Sequence, residues 1–196
     1  QEAGFSIVTY SGNASGSVSS GVYQTIGHGL GKAPKLIIFK ARNGGESYHG
    51  WATYHHLLTD ANTDYLKLNT TDARIQTDVN YMGSTLPTSS VFSLGFNFTN
   101  NESGKNYVAY CWTEIPGYSK IGVYRANNSS NGAYFYCGFR PAFIMLKNAD
   151  NSSAPWYIID TKRNPENECR VSLKANTTDG EVTDSNFIDF LSNGFK

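Results

Sequence analysis

Apolar residues along this chain fall in short runs rich in Ile, Val, Tyr and Phe, and each run ends in a cluster of Gly, Asn and Ser. This is the pattern of strands joined by turns. It predicts strands at Phe5–Tyr10, Val22–Ile26, Lys35–Lys40, Trp51–Leu57, Tyr65–Leu68, Val91–Gly95 and Tyr107–Glu114. Turns are expected at Ser11-Gly12-Asn13, Asn43-Gly44-Gly45, Asn69-Thr70-Thr71 and Asn100-Asn101. Tyr65-Leu66-Lys67-Leu68 alternates with period two, whereas Leu36–Phe39 is apolar at every position, as a central strand covered on both faces would be. No stretch holds the i, i+3, i+4, i+7 spacing for three turns, so helix is limited to one turn near the end of Thr53–Ala61. The run Ser11–Ser20 has linker composition but reads as a hairpin tip between two strands. The expected fold class is all-β, an antiparallel β-sandwich of jelly-roll or concanavalin-like type.

The chain also aligns with itself. Phe5–Asn13 recurs at Ser119–Asn127, and Ala33–Lys40 recurs at Arg140–Lys147. Trp51 and Trp156 each lie 17 residues before a leucine, Leu68 and Leu173, and Asn69-Thr70-Thr71-Asp72 answers to Asn176-Thr177-Thr178-Asp179. Val91–Leu94 is matched to Ile188–Leu191. An internal duplication is therefore expected, with residues 1–118 as a first sandwich repeat and residues 119–196 as a second, truncated one. The alternative is that both merge into one larger sandwich. Nothing in the second copy answers to Tyr107–Glu114, so its sheet is expected to need a strand from elsewhere, by β-augmentation.

Several strings have a wider resemblance: Gly27-His28-Gly29-Leu30-Gly31-Lys32-Ala33-Pro34 with the strand after it, Trp51 through His55, Tyr65 through Thr71, Pro87 through Gly95, and Phe187 through Lys196. Together they resemble a domain of unassigned function found, often in tandem, in bacteriophage virion proteins, particularly those of marine phages. The resemblance implies a concanavalin-lectin-like sandwich on a virion surface: a capsid decoration, tail-fibre or adhesion module, with no enzymatic activity. The partners it implies are other copies of the chain or other virion proteins, and host surface carbohydrate. A carbohydrate-binding, lectin-like domain of a secreted protein is the alternative.

Charge and composition narrow the classes. Of 196 residues 39% are hydrophobic, enough for a sizeable core, and 16 basic residues balance 16 acidic ones. Without net charge, no nucleic-acid partner is expected. The longest apolar runs, such as Phe143–Leu146, fall far short of a bilayer span, so no membrane insertion is expected either. Cys111, Cys137 and Cys169 include no C-x-x-C pair, which speaks against a disulfide framework or a thiolate zinc site.

Candidate chemistry is sparse. Gly27–Gly31 lacks the following helix and Gly-Lys-Ser/Thr of a phosphate cradle and reads as a tight strand entry, with His28 structural. His55 and His56 are adjacent on a strand and so face opposite sides, which disfavours a shared metal. Asp60–Asp64 spaces its oxygens like a calcium loop but has Tyr65 where the sixth-place glycine belongs. No strand offers a pair of carboxylates for glycoside hydrolysis, and Glu166 and Glu168 lie in a turn. No catalytic residue, metal or cofactor is expected. Trp51 and Trp156 read as core anchors, which leaves loop aromatics as candidate ligand contacts: Tyr48 and His49, Tyr81, and Tyr118. The Asn-x-Ser/Thr triplets read as turns.

Overall fold

A computed structural model describes residues 4–16 and 20–196. The fold is almost entirely β, with antiparallel sheets and one short helix. The first strands are β1 (Phe5–Ser11), β2 (Gln24–Gly27), β3 (Leu36–Ala41), β4 (Ala52–His55), β5 (Leu66–Lys67) and β6 (Val91–Leu94). The helix α1 (Phe98–Asn101) and β7 (Asn106–Trp112) follow. Then come β8 (Phe135–Tyr136), β9 (Phe143–Lys147), β10 (Trp156–Asp160) and β11 (Cys169–Lys174). Three strands close the chain: β12 (Val182–Ile188), β13 (Phe190–Leu191) and β14 (Gly194–Phe195). All seven strands expected before residue 118 are present.

The largest sheet has the order β1-β7-β3-β4-β5. Its middle strand β3 is the run expected to be apolar on both faces: Ile37 and Phe39 are fully buried and Ile38 nearly so. A four-stranded sheet β12-β11-β10-β9, a three-stranded sheet β13-β14-β8 and the β2-β6 ladder complete the fold. One apolar cluster joins Ile37, Phe39, Tyr54, Tyr81, Phe92, Leu94 and Cys111. A smaller one joins Ile144, Ile159, Cys169, Ile188, Phe190 and Phe195. Trp156 belongs to the first cluster although β10 lies in the second half, and its indole Nε1 donates to the Lys67 carbonyl at 2.9 Å.

The two halves share several hydrogen-bond details. The N–H groups of Trp51 and Trp156 donate to Asn69 Oδ1 and Asn176 Oδ1, at 2.7 and 2.8 Å. Their carbonyls accept from the N–H groups of Leu68 and Ala175, at 2.8 and 2.9 Å. A lysine near the end of β3 and at the end of β9 donates into the turn that follows, Lys40 to the His49 carbonyl and Lys147 to that of Ala154. β2 pairs with β6 as β8 pairs with β14, with Ile26 opposite Phe92 and Phe135 opposite Phe195.

This geometry corrects three expected correspondences. Leu68 answers to Ala175 rather than Leu173, because the second hairpin holds two more residues between its tryptophan and the matching position. Ile188–Leu191 is no second β6: Ile188 pairs with Cys169, and the strand placed like β6 is β14. Ser119–Asn127 forms no strand, since no strand stands beside β9 to pair with it.

Two local readings also change. Ser11–Ser20 is not a hairpin tip, because β1 pairs with β7 and β2 with β6; residues 17–19 of that run lie outside the described residues. Asn100-Asn101, expected as a turn, ends α1 and is fully buried. The Asn101 amide bonds four ways, donating to the Gly95 carbonyl at 2.8 Å and Asn13 Oδ1 at 3.2 Å and accepting from Asn13 N–H and Gln24 Nε2. A polar side chain persists in a core when its donors and acceptors are met in this way.

Trp156 ties the second half to the first core. Trp156→Ala should therefore lower unfolding free energy by about 3–5 kcal/mol, and Trp51→Ala by clearly less, since Trp51 lies partly exposed. Urea denaturation of the two variants checks the difference.

Candidate functional site

β7 alternates small with large: Ala109 and Cys111 point into the core, fully buried, while Tyr110 and Trp112 point to the opposite face and stay partly exposed. Register places Trp112 opposite Phe5 and Tyr110 opposite Ile7 on β1. The result is an aromatic row across the outer face of the largest sheet. Ring centroids of Phe5 and Trp112 are 4.9 Å apart, those of Trp112 and Tyr110 6.3 Å, and those of Tyr110 and Trp51 6.5 Å. Interplanar angles of 34°, 27° and 18° keep the rings roughly parallel.

Polar groups and hollows flank the row. Lys40 Nζ sits 5.7 Å from the Trp51 ring centroid, within cation–π range. A hollow of about 240 Å³ at that end is lined by Trp51, Leu68, Asn69 and Ala175. A second, of about 350 Å³, adjoins the strand ends at Phe5 and Trp112 and is lined in part by Gly4, Lys32, Thr113 and Glu114. Aromatic faces beside amide, ammonium and carboxylate groups suit a ligand that is apolar on its faces and rich in hydroxyls at its rim.

The four expected contact residues are not brought together. Tyr48 packs on His49 and Phe98 and is 41% exposed. His49 is buried: its Nε2 lies 2.6 Å from Glu102 Oε2, and its Nδ1 lies 2.7 Å from Glu46 Oε2, out of line for a hydrogen bond. Tyr81 is not a surface aromatic, because its ring is fully buried against Tyr65, with centroids 4.2 Å apart, and a ligand has no access to it. Tyr118, 75% exposed, lies in the turn between Ile115 and Ser119. Trp51, expected as a core anchor like Trp156, instead joins the exposed row.

His28 is structural, but it directly follows the end of β2 rather than opening β3, which starts at Leu36. Its Nδ1 accepts from the Leu30 N–H and its Nε2 lies 3.1 Å from the Thr88 carbonyl, so the ring is the Nε2-protonated tautomer. Gly29 and Gly31, at φ 69° and 70°, supply the left-handed backbone this tight turn requires. His55 and His56 do not face opposite sides: β4 ends at His55, and their rings lie 5.4 Å apart. Asp64 turns inward rather than to solvent, with Oδ2 3.4 Å from Arg74 Nε and Oδ1 accepting from the Thr77 N–H. Among the described residues, no group of three His, Cys, Asp or Glu is arranged to hold a metal. Nor is any helix long and apolar enough to cross a membrane. All three cysteines are free thiols; Cys111 and Cys169 are buried, and burial pushes the Cys111 thiol up to about 12.

Residues 1–196 match a family described as Domain of unknown function (DUF7483). The chain belongs to this family. No curated protein and no solved structure matches it. The aromatic row of this DUF7483 domain was not expected because Trp51 was read as a core anchor and Tyr107–Glu114 only as a strand, with no face assigned to its aromatics. The available signal was the alternation Ala109-Tyr110-Cys111-Trp112, small inward and aromatic outward.

Burial, followed by the neighbouring His56, pushes the His55 imidazolium down from 6.5 to about 4. Unfolded, the ring takes up its proton near 6.5, so between pH 6.5 and 4 the unfolded chain binds more protons than the folded one. Stability from this group is therefore full above pH 6.5 and lost as pH falls toward 4. His55→Gln should flatten that acid limb in a melting-temperature titration.

Proposed function

We propose that this domain is a non-enzymatic surface module of a virion or fibre-like appendage, working by assembly between copies and by adhesion to surface carbohydrate. The observation that carries the adhesive part is the Phe5–Trp112–Tyr110–Trp51 row. Pyranose rings present C–H faces that pack on aromatic rings and equatorial hydroxyls that bond to nearby amides and charges. The row offers rings in series, with Lys40 and Asn69 at its edge, so its ligand is a run of sugar units rather than one sugar. We further read the fold as an antiparallel β-sandwich written twice. The recurring tryptophan–asparagine turns and the matching β2-β6 and β8-β14 ladders support that reading. The interaction partners are other copies of the chain, other virion proteins, and host surface glycan.

Binding to a panel of soluble polysaccharides, read by tryptophan fluorescence and affinity electrophoresis, tests this function. A ligand that shifts both signals should lose at least tenfold in affinity in Trp112→Ala and in Tyr110→Ala, while Tyr118→Ala and Tyr48→Ala bind as the parent does. No shift with any polysaccharide, or equal loss in all four variants, overturns the assignment of the row.

A further inference from the structure

Among the described residues, β9 has a neighbouring strand on one side only. The Thr161 N–H donates to the Ala142 carbonyl at 3.0 Å, which fixes the parity of the β9–β10 ladder. In an antiparallel pair the bonded residues alternate, so Ile144 and Leu146 bond to β10. The N–H and C=O groups of Phe143, Met145 and Lys147 then point away from it, and β9 is the last strand of its sheet. The other half of the molecule shows what such an edge takes. The His56 N–H donates to the Lys35 carbonyl at 3.0 Å as Thr161 does to Ala142, so β3 presents the same outward parity. There β7 pairs antiparallel along the whole of β3.

We propose that in solution the vacant side of β9 is taken by β9 of a second copy, antiparallel about a two-fold axis through Met145. This rests on the assembly part of the proposed function and specifies its contact. Three observations select the occupant. The register centred on Met145 pairs all five residues of the strand, and any other pairs fewer. It sets Lys147, the only charged residue of β9, opposite Phe143 of the second copy rather than opposite its own equivalent, so like charges do not meet. The lysine stem then covers a phenyl ring that is 59% exposed in the single chain. On the core side, Ile37 and Phe39 lie opposite Cys111 and Ala109 in the first sheet. In β9 the corresponding residues are Ile144 and Leu146, and the smaller leucine leaves room for the larger side chain that a second β9 brings. The contact is isologous and closes as a dimer.

Sedimentation of the full chain over a wide concentration range, with hydrogen exchange read at single amides, tests this. The mass should rise from 21.6 kDa to twice that value, and the amides of Phe143, Met145 and Lys147 should become at least tenfold more protected as it does. Met145→Pro removes an outward N–H without breaking a bond to β10, so it should stay monomeric, with a melting temperature lowered only by the loss of the Met145 side chain's packing on the first core. Should that variant fail to fold, Phe143→Lys decides, since it sets two lysine pairs face to face at an exposed position and should also abolish the dimer. A chain that remains at 21.6 kDa throughout, a dimer whose three amides exchange as freely as in the monomer, or a dimer that survives the folded variant overturns the proposal. Polysaccharide binding is read separately on the monomeric variant, so failure there counts against the aromatic row and leaves this result standing.

Discussion

The molecule depends on the requirement that buried backbone donors and acceptors be paired. β3 meets it over most of its length: β7 pairs along one edge from Leu36 to Ala41, β4 along the other from Leu36 to Phe39, and apolar side chains cover both faces. With that strand fixed, period-two geometry assigns every neighbour a face. Ala109 and Cys111 must be small because they meet Ile37 and Phe39 across the ladder. Tyr110 and Trp112 are free to be large because they stand on the outer side. The core and the aromatic row are two faces of one pairing register, and a one-residue slip of β7 would exchange them.

The same accounting explains why the second half differs from the first while using the same turns. A tryptophan N–H is capped by an asparagine side chain in both, and a lysine closes the first turn in both. These local devices need no third strand, so they survive where β9 lacks the neighbour that β3 has. What changes is packing. Trp51 lies on an outer face, whereas Trp156 turns into the core of the other half and bonds to the Lys67 carbonyl. Equivalent backbone positions thus carry one surface ring and one anchor.

How much of this was legible in the sequence follows from which interactions are local. Strands before residue 118 were readable because Leu36–Phe39 and its neighbours carry period, β-propensity and punctuation together. The tryptophan–asparagine turn was visible as a repeated string, but its register was not, since the second hairpin is two residues longer and matches Leu68 with Ala175, not Leu173. Asn100 and Asn101 looked like turn residues because asparagine usually is one. Only the long-range partners Tyr81, Gly95 and Asn13 turn them into core residues. Tyr81 misled for the same reason, as a loop tyrosine by context and a core ring by contact. The row itself is assembled from β1, the segment before β4, and β7, and no single stretch of sequence contains it.

The thiols add a last point. Cys111 and Cys169 are enclosed by apolar neighbours, and the Cys111 sulfur stays protonated at any physiological pH. A thiol held in that form is a poor nucleophile toward oxidants and disulfides. Since no disulfide supports the fold, passage from a reducing to an oxidising environment leaves this core's covalent framework unchanged.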